Sequence, residues 1–303
     1  MVLGVFLSAL VLLAVVPQSV VAAGDPVVAA AGDIACDERP GVTDQDSKSG
    51  GCQQAGTSAV LVSLHPAAVL TIGDEQYPAA TYDQFMASYD KTWGKLKSIT
   101  HPAPGNHEYE TPLAGGYFRY FGASAGEPDK GYYSFDLAGW HLIALNGNCW
   151  AIGGCQQGSP QERWLAADLA AHPAACTLAY WHQPRFSSGP HHSDKSYQAL
   201  WQDLYGAHAD VVLGGHDHDY ERFALQTPTG AADPKNGIRE FVVGTGGKSH
   251  YPFLVTAPNS EVRNDETFGV LALTLHAHGY DWRFVPEAGS SFTDQGSGTC
   301  HGR

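Results

Sequence analysis

Several apolar runs in this chain end abruptly on side chains that bind metals. The stretch ADVVLGGHDHDYERF (209–223) leads into His216 and His218, with one residue between them. PVVAAAGD ends on Asp33, AAVLTIGD on Asp74 and CTLAYWH on His182, and SITHPAPGNHE places Asn106 and His107 after a Pro-Gly pair. Taken singly, Asp33 and Asp74 could be turn or cap residues, and His182 could be a satisfied core histidine. Taken together, the clusters supply two carboxylates, an amide oxygen and three imidazoles in the order D, D, N, H, H-x-H. That donor set of oxygen and nitrogen suits two hard-to-borderline cations.

Such a set needs a frame that brings distant chain segments to one edge. The runs are short, contain β-branched residues and stop sharply, so they read as buried strands. Helices fit between them. SPQERWLAADLAAH opens with Ser159, Pro160 and Glu162, a capping box with proline at the first helical position. SYQALWQDLYGAH puts Tyr197, Leu200, Trp201 and Leu204 on one apolar face, and QAGTSAVLVSL is a weaker helix candidate. Strand–helix alternation predicts an α/β core. GYYSFDLAGWHLIALN, REFVVGTGG and FGVLALTLHAHGYDWRFVPEAG alternate in polarity around hairpin-like turns, so the sheet system is expected to be mixed. Polar clusters at the carboxyl ends of buried strands are where open α/β sheets place ligand sites.

The 303 residues, 43% of them hydrophobic, allow one large domain or two small ones. A net charge of −14 repels nucleic-acid backbones and anionic membranes. It leaves room for a phosphate substrate, because bound cations reverse the sign locally. Residues 1–23 read as a secretory signal, with an apolar stretch from Val2 to Val16 and cleavage near Ala23, although the basic n-region is missing. An uncleaved anchor is the alternative, and no other segment is long enough to cross a bilayer. The six cysteines agree with export to an oxidising compartment. Short separations favour Cys36–Cys52 and Cys149–Cys155, leaving Cys176 for Cys300; a zinc–thiolate site is the competing reading.

The order Gly32-Asp33, Gly73-Asp74-x-x-Tyr77, Gly105-Asn106-His107-Glu108, His182, Gly215-His216-x-His218 resembles the calcineurin-like metallophosphoesterase superfamily. Tyr77 three residues after Asp74, the ending GHDHDYER and the lack of a histidine two residues after Asp33 make it most similar to the purple acid phosphatases. The motifs span residues 32–222, and VVGTGG (242–247) extends the likeness. The resemblance implies a four-layer αββα fold, two mixed β-sheets sandwiched between helices, as one catalytic domain over residues 24–303. It also implies two metal ions. Iron(III) would take Asp33, Asp74, Tyr77 and His218; a divalent zinc, manganese or iron ion would take Asp74, Asn106, His182 and His216. Asp74 would bridge them, its two oxygens spanning ions about 3.5–4 Å apart. On this account Asp217 and Asp219 point elsewhere, as surface groups or groups behind the ligands.

The implied activity is hydrolysis of small phosphomonoesters by a secreted enzyme. A metal-bound hydroxide would attack in line and His107, oriented by Glu108 or a nearby carboxylate, would act as general acid. His191 and His192, nine and ten residues after His182, match a phosphate-contacting histidine pair; an exposed polar loop is the other reading. The loop WAIGG between Cys149 and Cys155 could line the substrate mouth. Two departures from the family pattern stand out. Ala35 replaces the glycine of Asp-x-Gly, and the N-terminal β-sandwich of the large plant enzymes is not expected ahead of Asp33. A phosphodiesterase or nucleotidase of the same superfamily and a non-catalytic binding protein are the rival readings.

Overall fold

The apolar runs become strands because both of their faces find a buried layer. In the computed structural model, which describes residues 24–37, 39 and 52–302, the order begins β1 (Val27–Ala31), α1 (Gln54–Leu64), β2 (Ala68–Ile72), α2 (Tyr82–Ala87), β3 (Thr100–Ala103) and α3 (Gly115–Phe121). It continues with β4 (Tyr133–Leu137), β5 (Trp140–Ala144), α4 (Pro160–Ala171), β6 (Cys176–Tyr180), α5 (Gln198–Gly206), β7 (Val211–Gly214) and β8 (Tyr220–Phe223). The remainder is β9 (Arg239–Val243), β10 (Ser260–Asn264), β11 (Gly269–His276), β12 (Gly279–Pro286) and β13 (Gln295–Thr299). The segment read as a secretory signal, 1–23, lies outside the described residues. Among the described residues no helix is long and apolar enough to cross a membrane.

Two mixed sheets result, with strand orders β13-β12-β11-β1-β2-β3 and β10-β8-β9-β7-β6-β5-β4. In the first, β1, β2 and β3 run parallel; in the second, β5, β6, β7 and β9 do. Side chains that alternate along these central strands divide between two cores, as a strand's period of two requires. Leu142, Leu178, Tyr180, Val211 and Leu213 join Val28, Leu70 and Ile72 between the sheets. Ile143, Ala179 and Val212 face the other way, against Leu165, Leu200, Trp201 and Leu204 of α4 and α5. On the far side of the first sheet, α1 packs on β1 and β11. The fold is the four-layer α/β arrangement.

Local rules explain most of the elements. Ser159 caps α4 by accepting from the Glu162 N–H, but the Glu162 carboxylate reaches the Gly158 N–H rather than closing the capping box on Ser159. Leu137 pairs with Trp140 across a two-residue turn in which Ala138 and Gly139 are both left-handed, the geometry of a tight hairpin. α2 and α3 go unread in the sequence, being six and seven residues long, too short for an apolar period to show. The three disulfides join Cys36 to Cys52, Cys149 to Cys155 and Cys176 to Cys300.

Candidate metal centre

Five of the parallel strands deliver a candidate ligand just past their carboxyl ends. Asp33 follows β1, Asp74 follows β2, Asn106 follows β3, His182 follows β6 and His216 follows β7. Asp33, Asp74 and His216 have φ of 60°, 50° and 69°, a left-handed backbone that non-glycine residues seldom adopt. Strain of this kind persists only where the surroundings enforce it, and it concentrates at functional sites. Two glycines permit the crowding. A Cβ on Gly105 would sit 2.1 Å from Asp74 Oδ1, and one on Gly73, itself at φ 82°, would sit 2.7 Å from the His182 side chain.

The side chains converge in two halves that share one oxygen. Tyr77 Oη lies 2.8 Å from Asp33 Oδ1, 3.0 Å from Asp74 Oδ2 and 3.1 Å from His218 Nε2. On the other side, His182 Nε2 is 3.2 Å from the same Asp74 Oδ2 and 3.2 Å from His216 Nδ1. Asp74, His182 and His216 offer donor atoms that all lie within 4.8 Å of one another. Asp74 Oδ1 is occupied differently, accepting the His107 N–H at 2.9 Å. Asp74 Oδ2 is thus the atom that faces both halves.

Neighbouring groups fix how these side chains present themselves. His182 Nδ1 donates to the Ile72 carbonyl at 2.8 Å, and His218 Nδ1 to the Ser249 carbonyl at 2.7 Å. Each therefore turns Nε2 towards the centre, the arrangement that carbonyl-anchored metal-binding histidines use. The Asn106 side-chain oxygen is buried with no hydrogen-bond partner among the described residues. A buried acceptor without a donor costs about 1–3 kcal/mol, and a cation is the partner that removes the cost.

The charges tell the same story. Burial works against the Asp74 carboxylate, yet His182, His107 and His216 hold it well below the usual range. Burial also opposes a charge on His182, but Asp74 and Asp33 raise it to about 10. His216 is pushed down to about 3 by burial and by His182 and His191. Burial, then Asp33 and Asp74, drive the Tyr77 phenol far above its ordinary value, so it ionises only where a strong cation displaces its proton. The pattern is a negative pocket that recruits positive charge, and its oxygen and nitrogen donors suit metal cations.

Around this centre the other sequence-derived residues divide. The His107 ring lies tilted against Tyr77 with ring centroids 4.4 Å apart; its Nε2 stands 3.9 Å from Asp74 Oδ2 and its Nδ1 bonds the Pro78 carbonyl at 2.5 Å. Glu108 does not orient it. That carboxylate is buried and accepts the Asp74, Glu75 and Gly105 N–H groups at 2.9, 3.0 and 2.7 Å, clamping two strand-end loops together. The His191 ring lies tilted over His216 with centroids 3.9 Å apart, and its Nδ1 donates to Asp217 Oδ1 at 2.8 Å. That hydrogen bond to Asp217 raises the His191 pKa. Both histidines are exposed; the His192 N–H closes a turn onto Gly189.

Asp217 and Asp219 are both fully buried, which excludes the surface. Asp217 braces His191 and accepts from Ser187, while both Asp219 oxygens are without hydrogen-bond partners among the described residues. Sequence reasoning missed the loop after β9. There Tyr251 stacks on His218 at 3.9 Å and Lys248 places its ammonium 4.8 Å from the Tyr77 ring centre. The motif VVGTGG pointed to this loop but not to the residues that follow it.

Comparison with known proteins agrees with this geometry. A family model described as calcineurin-like phosphoesterase matches residues 27–220, more than half of the chain. Purple acid phosphatase 15 of Arabidopsis thaliana is 27% identical over 203 residues, covering 55% of this chain and 37% of that protein. A nucleotide pyrophosphatase/phosphodiesterase of Hordeum vulgare is 27% identical over 246 residues, covering 69% of this chain and 65% of that protein. The chain thus spans well under half of the first relative and about two thirds of the second. Among solved structures, a purple acid phosphatase from yellow lupin (Lupinus luteus) seeds superposes with a TM-score of 0.74 at 18% identity, over 90% of this chain and 53% of that one. The same fold also serves a protein described as the anchor in the inner membrane complex of Plasmodium, with a TM-score of 0.64, 13% identity and coverage of 92% and 90%. The strand-end donors and the family match lead to one conclusion: this chain belongs to the calcineurin-like phosphoesterase family and is akin to its purple acid phosphatases.

Proposed function

We propose that the protein is a secreted phosphomonoester hydrolase, with residues 24–303 as one catalytic domain behind a cleaved signal and with two metal ions at the strand-end cluster. The observation that carries this reading is Asp74 Oδ2, which faces Tyr77 Oη at 3.0 Å on one side and His182 Nε2 at 3.2 Å on the other. Asp33, Asp74, Tyr77 and His218 would hold iron(III), and Asp74, Asn106, His182 and His216 a divalent ion. When bound, such a pair of cations lowers the pKa of water towards neutrality and neutralises charge on phosphate oxygens. The chain's own groups do the rest. His107, pinned at Nδ1 by Pro78, holds a proton at Nε2 for the departing oxygen. His191, whose pKa the Asp217 hydrogen bond raises, donates to a phosphate oxygen. The three disulfides support export to an oxidising compartment.

Metal analysis with visible spectroscopy tests the reading. Purified protein is expected to carry two metal equivalents and to absorb visible light through a Tyr77–iron(III) charge transfer. Asp74→Ala should lose both metal and phosphatase activity, and Tyr77→Phe should lose the absorption. Full activity of Asp74→Ala would overturn the site. An active, colourless protein with zinc or manganese would keep the reaction and reject iron, and faster turnover of diesters than monoesters would move the assignment to a phosphodiesterase.

A further inference from the structure

A second group of nitrogen and oxygen donors lies at the other end of the sandwich. His141 is the second residue of β5, and α4 runs back to end just before β6 begins. Because β5 and β6 are parallel, the two meet at the amino-terminal ends of the strands, whereas the candidate metal centre follows the carboxyl ends. Asp168 and His172 are four residues apart at the end of α4, a spacing that puts both on one helix face. The Asp168 carboxylate stands between two imidazoles: Oδ2 is 2.8 Å from His141 Nε2, and Oδ1 is 3.2 Å from His172 Nδ1. One donor atom from each of the three lies within 4.8 Å of the others. His141 and Asp168 are buried, and His172 is half exposed.

Two details separate this corner from an ordinary ion pair. His141 Nδ1 bonds the Asp136 carboxylate at 2.8 Å, the carboxylate–histidine brace that orients metal-binding imidazoles. The Asp168 carbonyl meets His172 Nδ1 at 3.0 Å and also accepts the His172 backbone N–H at 3.0 Å. It therefore keeps a partner when Nδ1 gives up its proton to become a ligand. With both imidazoles neutral, Asp136 and Asp168 leave two negative charges that one divalent ion cancels. Donors about 2.0–2.1 Å from a zinc ion stand roughly 3.3 Å apart at tetrahedral angles. The His172–Asp168 separation of 3.2 Å matches that spacing. The His141–Asp168 contact is that of a shared proton and opens by about 0.5 Å when an ion takes the proton's place. His172, with solvent on one side, turns to complete the set.

We propose that His141, Asp168 and His172 form a further metal site, for one divalent ion of the zinc class, that pins the end of α4 to β5. Two imidazoles and a carboxylate select zinc, copper or nickel over calcium and magnesium. The ion competes with protons for His141 and His172, beside Asp136, Asp168 and the Ser134 hydroxyl that donates to Asp168, so acid releases it. The site takes no part in ester hydrolysis and does not rest on the hydrolase reading.

Calorimetric titration of chelator-stripped wild type, His172→Ala and Asp136→Ala with zinc near neutral pH tests it. The altered side chains are 48% and 69% exposed, so both variants should fold. Wild type should bind one equivalent more than His172→Ala, and Asp136→Ala should bind that equivalent about 10–100-fold more weakly. Excess zinc should raise the melting temperature of wild type above that of His172→Ala, with equal phosphatase activity in the two. A difference of one equivalent in a protein that hydrolyses no phosphate ester would support the site and sink the hydrolase reading alone. Equal stoichiometry and affinity in wild type and His172→Ala would falsify the site and leave the corner an ion pair closed by a proton. Loss of activity along with zinc in His172→Ala would overturn it too, because the missing equivalent would then belong to the strand-end centre.

Discussion

At the scale of single residues, the metal-facing atoms and the proton-handling atoms of this site belong to different side chains. His182 and His218 give their Nδ1 to backbone carbonyls and turn Nε2 inwards. His107 also gives Nδ1 to a carbonyl, but its Nε2 stands 3.9 Å from Asp74 Oδ2 and its side chain is one-third exposed, as a group that meets substrate should be. His107→Ala is therefore expected to keep metal content and to lower turnover by about 10²–10⁴-fold for alkyl phosphates, with a smaller loss for esters whose leaving group departs without a proton. Loss of metal in that variant would instead make His107 a structural residue. The donor types were legible in the sequence because each follows an apolar run, and chemistry at the end of a buried strand has few other uses. The division of labour was not legible. Which oxygen of Asp74 faces the centre, whether Glu108 serves His107 or the loop N–H groups, and which of His191 and His192 turns inwards depend on loop backbone that no residue spacing encodes.

At the scale of elements, strands were easier to read than their attachments. β5, β6 and β7 are apolar on both faces, and that signal survives in the sequence whatever packs on them. The residues that fasten helix to sheet are polar and isolated, so they leave no pattern. His141 in β5 is the clearest case. It is buried, and its two ring nitrogens sit 2.8 Å from Asp136 of β4 and 2.8 Å from Asp168 of α4. Burial disfavours the imidazolium, but Asp168 and Asp136 outweigh it and raise the pKa. Burial likewise opposes the Asp168 carboxylate, which His141 and Ser134 bring below its ordinary value. A raised histidine stabilises the fold fully below about pH 6.5 and loses that contribution as pH rises through the folded value; a lowered aspartate loses its own share as pH falls below about 4. Urea unfolding of wild type and His141→Gln should therefore differ most between about pH 5 and 6.5, by about 1–3 kcal/mol, and should converge in alkaline solution. A difference independent of pH would mean that His141 acts through packing alone.

At the scale of the molecule, the sandwich has two ends with opposite tasks. The carboxyl ends of the parallel strands hold strained loops and a concentrated negative charge, and conformational freedom there would scatter the donors. The opposite end keeps the sheets in register through polar ties and one of the three disulfides. Trp140 Nε1 donates to the His276 carbonyl at 2.8 Å, joining β5 to β11 across the sandwich. Asp210 accepts the Thr177 N–H at 2.8 Å and the His301 N–H at 2.7 Å, joining the start of β6 to the tail after β13. Cys176–Cys300 fastens the same two segments covalently across 124 residues of sequence. Closing so long a loop removes much of the unfolded chain's freedom, worth about 2–5 kcal/mol. Replacing both cysteines by alanine should lower the melting temperature by about 5–15 °C for a domain of this size. Because the clasp lies at the end away from the metal-facing loops, metal content at 25 °C should be unchanged. An unaltered melting temperature would show that the hydrogen bonds through Asp210 hold the sheets together unaided. A parallel loss of metal would show instead that the two ends of the sandwich are mechanically coupled.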